Sequence, residues 1–167
     1  TPKLLERYNM ADLPMGNTAE KVAELWKVDR KDMEVMAYWS NKKAAAARDA
    51  GKFAREIVPI EGQKDDGSKF MVTTDQWIRD DVSLEQMATM KTPFKENGVV
   101  SAAVSSPLTA GAAALLLMSR DKADELGLDY HIKYAGGAMV GCDPTVMGVG
   151  PIYAAQRLLK RAGLTVK

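Results

Sequence analysis

The sequence is poor in the residues that most often carry chemistry or covalent constraint. It has one cysteine, Cys142, and one histidine, His131, in 167 residues. One cysteine excludes a disulfide within the chain, and one of each excludes a zinc cluster of cysteines and histidines. A Cys–His nucleophile pair is available by count only. Aromatics make up 7% of the chain, and the longest apolar run, Ala112 to Met118, is far too short to span a bilayer. Neither sign of charge dominates: 23 Lys and Arg stand against 22 Asp and Glu. That balance gives no electrostatic reason to expect nucleic acid or an anionic membrane as partner. The chain starts at Thr1 and shows no apolar signal-peptide core, so its numbering is expected to begin inside a longer protein.

What is present is an ordinary globular composition, 46% hydrophobic and 27% charged. Thr1 to Gly16 reads as mostly extended. A helix is expected from Asn17 or Thr18, with Asn17 and Glu20 as a capping box. Asp29 caps a long helix from Arg30 to Ala50 with Met33, Met36, Ala37 and Trp39 toward its apolar side, and Gly51 stops it. Glu56 to Ile60 and Phe70 to Thr73 read as a hairpin around the polar turn Glu61 to Lys69. Ser83 opens a short helix.

Beyond Gly98 the pattern changes to strand–helix–strand–helix. Val99 to Val104 and Tyr130 to Val140 are expected strands, and Ala112 to Met118 a buried strand or short helix. Helices are expected from Ser119 to Leu126 and from Pro151 to Ala162. In the last, Ala155, Leu158, Leu159 and Ala162 face inward and Gly163 is the stop. This is the grammar of an α/β sheet attached to a helical, hairpin-bearing first half. The boundary is placed at Asn97.

Taken by themselves, the chemical candidates read quietly. Cys142 sits beside Asp143, and an anion raises a thiol pKa, so the residue is expected as a small buried thiol at a strand end. His131 is expected on a solvent-facing strand position beside Lys133. Met147-Gly148-Val149-Gly150 looks like half a phosphate loop, but Tyr153 stands where the third glycine belongs, so a tight strand-to-helix connection is expected. The ten methionines, with Trp26, Trp39 and Trp77, are expected as core filler rather than as an acyl pocket.

Eight stretches, in order along nearly the whole chain, resemble the thiolase family. They are Met15-Gly16-Asn17-Thr18-Ala19-Glu20, Asp29 through Lys43-Ala44-Ala45-Ala46-Ala47 with Gly51-Lys52-Phe53, and Glu56-Ile57-Val58-Pro59. Next come Ser83-Leu84-Glu85-Gln86-Met87-Ala88 with Pro93-Phe94, then Asn97-Gly98-Val99-Val100-Ser101-Ala102. The series ends with Ser105-Ser106-Pro107-Leu108-Thr109-Ala110-Gly111-Ala112, Val140-Gly141-Cys142-Asp143-Pro144 through Pro151, and Arg161-Ala162-Gly163-Leu164-Thr165.

The resemblance implies a thiolase-like α/β fold, partial here. Residues 1–97 would be a loop domain covering coenzyme A, and residues 98–167 the first part of the C-terminal core half. It implies an acyltransferase that joins or cleaves acyl chains at coenzyme A thioesters, with the thioester as substrate and no permanently bound cofactor or metal. Arg79 matches an arginine beside the adenine and phosphates, and Ser106 a serine on the pantetheine arm. Met15, Met90 and Phe94 match apolar residues along that arm. The family's catalytic cysteines, its Asn-Glu-Ala-Phe motif and its Gly-His-Pro motif have no counterpart in this sequence, so no catalytic residue is expected and the chain alone is expected to be inactive. Departures fall at Val104, usually Asn, at Ala110, usually Asp, and at Asn41 in the helix motif. Implied partners are acyl-CoA, the remainder of a thiolase chain, and further copies in a homodimer or homotetramer. The implied compartment is the cytoplasm, or an organelle matrix in a eukaryote. The alternative is a stand-alone, non-catalytic coenzyme A-binding or scaffold module.

Overall fold

A computed structural model of the chain describes residues 2–9, 12–129 and 132–166. Two compact units divide between Pro107 and Leu108. The first carries helices α1 (Pro2–Tyr8), α2 (Met15–Trp26), α3 (Arg30–Asp49) and α4 (Leu84–Thr89), the hairpin β1 (Ile60–Gln63) and β2 (Lys69–Val72), and a short 3-10 helix, Ala102–Val104. The second carries α5 (Arg120–Glu125), a 3-10 helix at Pro144–Val149 and α6 (Gly150–Ala162).

The helices begin and end where local chemistry dictates. Asp29 accepts a hydrogen bond from the Lys31 amide at 2.6 Å, and Ser83 and Ser119 accept from the Gln86 and Lys122 amides at 3.3 and 3.2 Å. Each covers an orphan donor of the first turn. Gly51 and Gly163 follow α3 and α6 with φ of +66° each, a left-handed conformation that glycine adopts without cost. β1 and β2 pair antiparallel, with Ile60 opposite Val72 and Gln63 opposite Lys69.

Several expectations are corrected. The N-terminal segment is helical over Pro2–Tyr8 rather than extended. α2 starts at Met15, with no side-chain cap, and Glu20 leaves the helix surface for a distant partner instead of closing a capping box. The first strand of the hairpin starts at Ile60, because Gly51 to Ile57 is occupied by hydrogen-bonded turns and Pro59 cannot donate to a ladder. Met36 and Trp39, expected inward on α3, are 72% and 54% exposed. On α6, Leu158 and Leu159 are half-buried, but Ala155 and Ala162 are exposed. The helices of the expected strand–helix–strand–helix series are present. Its strands are not: among the described residues Val99 to Val104, Ala112 to Met118 and Ile132 to Val140 carry no ladder, and the first ends in the 3-10 helix. Tyr130 and His131 lie outside the described residues.

The core of the first unit is small and unusually polar. Ala23, Ala45, Met87, Val100 and Ala103 are buried, and so are Thr18, Glu20, Glu34 and Ser101. The Glu20 carboxylate accepts from the Val99 amide at 2.9 and 3.0 Å and from the Val100 amide at 2.7 Å. Successive backbone amides wrapped around an anion form a nest. Asn97, with φ of +54°, turns the chain into it. A Cβ on Gly98 would overlap the Glu20 carboxylate, so the close approach requires glycine.

α3 holds the segment after the hairpin through ions rather than oil. Arg48 donates to both oxygens of Asp80 at 3.1 and 2.7 Å, and Lys42 donates to the Asp80 carbonyl at 2.8 Å. The Arg48 hydrogen bond is the main cause that holds the Asp80 carboxyl below its ordinary value.

Three outcomes are expected. Glu20→Ala strands one buried and one half-buried amide and should cost about 2–4 kcal/mol in urea denaturation. Gly98→Ala should also destabilise, but much less in the Glu20→Ala background, because the overlapped group is gone; additive losses would refute the close approach. Asp80 should titrate below 3.8, and its contribution, complete above that value, should fade as pH drops through the lowered value. Carbon-13 NMR of the carboxyl reads this, and Arg48→Ala should return the midpoint to the ordinary range.

Candidate functional site

All five positions singled out in the sequence lie in the first unit. α2, α3 and α4 set four of them. Met15 is the first residue of α2 and is 74% exposed. The next residue, Gly16, lies against the Phe94 ring so closely that a Cβ there would overlap it. Phe94 is 42% exposed. The fold therefore joins the start of α2 to the loop after α4, and puts Met15 next to the residue that carries the Phe94 ring.

Met90 ends α4. Its carbonyl accepts from the Arg30 guanidinium at 2.8 Å, and the same nitrogen reaches the carbonyls of Met87 and Ala88 at 3.0 and 3.2 Å. These carbonyls lie at the C-terminal end of the helix, where a cation is also favoured by the helix dipole, and the Met87 carbonyl also accepts from the Met90 amide at 3.1 Å. Arg30 is itself held by Glu34, a buried carboxylate 2.7 Å from its Nε. Met90 and Phe94 are surface residues, not core.

Arg79 follows the hairpin and is half-buried. Its amide donates to the Asn41 side chain at 3.1 Å. Its guanidinium donates to the Ala102 carbonyl at 3.5 Å, the long end of the hydrogen-bond range. Ala102 opens the 3-10 helix that leads to Ser105 and Ser106. Ser105 is tied back to the Ser101 carbonyl at 2.8 Å, whereas Ser106 is exposed. The structure thus brings Arg79 to the stretch that presents Ser106, and Met15 to the Phe94 loop, with Met90 anchored on α3.

A hollow of about 400 Å³ between α3 and α4 is lined by Arg30, Glu34, Val35, Leu84 and Ala88 and holds none of the five. Most of the described methionines and all three tryptophans are not core filler. Met87 is buried, but Met15, Met36, Met71 and Met139 and all three tryptophans are more than half exposed. Cys142 is half-buried, with its sulfur 3.2 Å from where a Cβ on Gly150 would stand, at the first residue of α6. It is not at a strand end, and Met147 to Gly150 leads from a 3-10 helix rather than a strand. Among the described residues no three His, Cys, Asp or Glu side chains gather as a metal site, and no helix is long and apolar enough to cross a membrane. Arg30 carried no signal in composition or spacing. Asn41 was marked only as a departure from the family's helix motif, and Glu20 only as a capping-box residue.

Comparison with known proteins gives a consistent answer. The sequence model of the family described as "Thiolase, N-terminal domain" matches residues 3–121. A 3-ketoacyl-CoA thiolase of Psychrobacter sp. (strain PRwf-1) is 41% identical across 99% of this chain and 43% of its own length. An acetyl-CoA acetyltransferase of Chromobacterium violaceum is 40% identical across 98% of this chain and 41% of its own length. Among solved structures, the Bacillus anthracis acetyl-CoA acetyltransferase matches 93% of this chain and 39% of its own at 32% identity, with a TM-score of 0.88. The human mitochondrial 3-ketoacyl-CoA thiolase matches 91% of this chain and 38% of its own at 35% identity, with a TM-score of 0.83. The chain spans about two fifths of the length of these relatives. The fold described above is therefore part of a thiolase fold, and the chain belongs to the thiolase family.

Proposed function

We propose that this chain is the coenzyme A-facing part of a thiolase-type acyltransferase, which joins or cleaves acyl chains at coenzyme A thioesters. In this reading residues 1–97 are the domain that covers coenzyme A, and residues 98–167 begin the C-terminal core half. The observation that carries the reading is the approach of the Arg79 guanidinium to Ala102, four residues before Ser106, in one compact unit. A guanidinium both stacks on an aromatic ring and pairs with phosphate, so Arg79 suits the adenine and phosphate end of the ligand. The exposed Ser106 hydroxyl donates and accepts, which suits the amides of the pantetheine arm. Met15, Met90 and Phe94 are exposed apolar side chains and offer that arm apolar contact.

Catalysis would come from residues outside this sequence. Claisen chemistry at a thioester needs a nucleophile and a base in hydrogen-bond reach of one another. Neither Cys142 nor His131 stands in a motif of the family's catalytic residues. The remainder of a thiolase chain and further copies in a dimer or tetramer are the partners this reading proposes, in the cytoplasm or an organelle matrix.

Two measurements test it. Titration of coenzyme A into the purified chain should show binding that Arg79→Ala weakens about tenfold or more, as expected for a charge-assisted contact; equal affinity in both would remove Arg79 from the site. The purified 167-residue chain should neither cleave nor form acetoacetyl-CoA, and clear turnover would overturn the division of labour.

A further inference from the structure

The Asn41 side chain is used at both ends. Its nitrogen donates to the Ala37 carbonyl one turn back on α3 at 3.0 Å, and its oxygen accepts from the Arg79 amide at 3.1 Å. A donor paired with a carbonyl and an acceptor paired with an N–H fix which way the amide faces. The residue after Arg79 is fixed as well, through Arg48 on the Asp80 carboxylate and Lys42 on the Asp80 carbonyl. The backbone at 79 and 80 is therefore held by two side chains of α3, Asn41 and Lys42, and the Asp80 side chain by a third, Arg48.

The guanidinium of Arg79 is held far less firmly. Its one hydrogen bond among the described residues is the 3.5 Å contact to Ala102. A long side chain with a fixed root and a lightly held tip keeps most of its donors for a ligand, while its reach is set by the root. Side-chain direction follows from the backbone position, so the Asn41 contact decides where the tip can go.

We propose that Asn41 is a positioning residue for Arg79. It sets the root of the arginine on α3 so that the guanidinium meets the nucleotide end of coenzyme A. This rests on the reading of Arg79 given above. Asn41 touches no ligand in this arrangement and acts only through the Arg79 amide.

The test compares Asn41→Ala, Asn41→Asp and Arg79→Ala in the purified chain, titrated separately with coenzyme A and with pantetheine, which lacks the nucleotide. Loss of one positioning hydrogen bond should weaken coenzyme A about three- to tenfold in Asn41→Ala. Pantetheine should bind Asn41→Ala as it binds the parent. Asn41→Asp keeps the acceptor and should recover most of the loss. Amide hydrogen exchange at Arg79 should be faster in Asn41→Ala and slow again in Asn41→Asp. If Arg79→Ala weakens coenzyme A and Asn41→Ala does not, the positioning role is overturned and the coenzyme A reading stands. If Asn41→Ala weakens both ligands alike, Asn41 only supports the fold and the proposal falls. If Arg79→Ala changes nothing, the coenzyme A reading at Arg79 fails and takes this inference with it.

Discussion

One buried carboxylate holds the first unit together. Glu20 joins α2 to backbone amides 79 and 80 residues further on. Taking a carboxylate out of water is costly unless its oxygens are met by donors, and here two amides meet both oxygens. The same bonds satisfy amides that have no ladder partner among the described residues. Geometry then propagates. Gly98 is required by the approach, Asn97 takes a left-handed turn into it, and the Lys95–Glu24 ion pair at 2.8 Å fastens the neighbouring loop to the same helix. With Val99 and Val100 fixed, Ser101 is buried and the 3-10 helix follows at once. Ser106 stands where it does because Glu20 fixes the chain a few residues earlier.

The second organising element is α3, which works through polar side chains along its length. Arg30 near its start ties down the carbonyls of α4, and Asn41, Lys42 and Arg48 hold Arg79 and Asp80. Apolar burial contributes little on this helix, where Ala45 is the one buried apolar residue. Such a unit gets its specificity from directed bonds. Several are exposed to solvent, so their contribution weakens as salt rises. The arrangement also fixes the backbone roots of Arg79 and Met90, while Met90 keeps its side chain at the surface and Arg79 stays half-buried.

What could be read from the sequence was what depends on neighbours in the chain. The caps at Asp29, Ser83 and Ser119 and the stops at Gly51 and Gly163 are local, because each pairs groups within a turn of one another. The hairpin was legible from its turn, though its first strand begins later than its β-rich residues suggest. Glu20 shows the limit. Three residues after Asn17 it fits a capping box as written, yet a better set of donors lies 79 residues away, and spacing carries no trace of that. The strands expected beyond Gly98 fail for the same reason, since hydrophobic runs specify burial but not the neighbour that completes a ladder. The five proposed ligand positions came from resemblance. Composition pointed to none of them, and their exposure means that no core pattern could have.

The second unit leaves most of its apolar side chains uncovered. Leu115, Leu116 and Leu117 are 89%, 84% and 72% exposed, although they are adjacent. Adjacent residues of an extended segment face opposite ways, so covering all three needs apolar packing on both faces. Continuous apolar runs of that kind belong to strands buried inside a sheet covered on both sides. Within the unit, among the described residues, only Ala123 and Val149 are buried, and α6 buries none of its residues fully. Two small side chains cannot offset the entropy of ordering some sixty residues, at about 1–2 kcal/mol each for the backbone alone. A segment with caps, stops and amphipathic spacing in place but nothing beneath them has the local half of a fold without the packing half. In the proposed reading the packing half is the rest of a thiolase core, which would cover these exposed leucines.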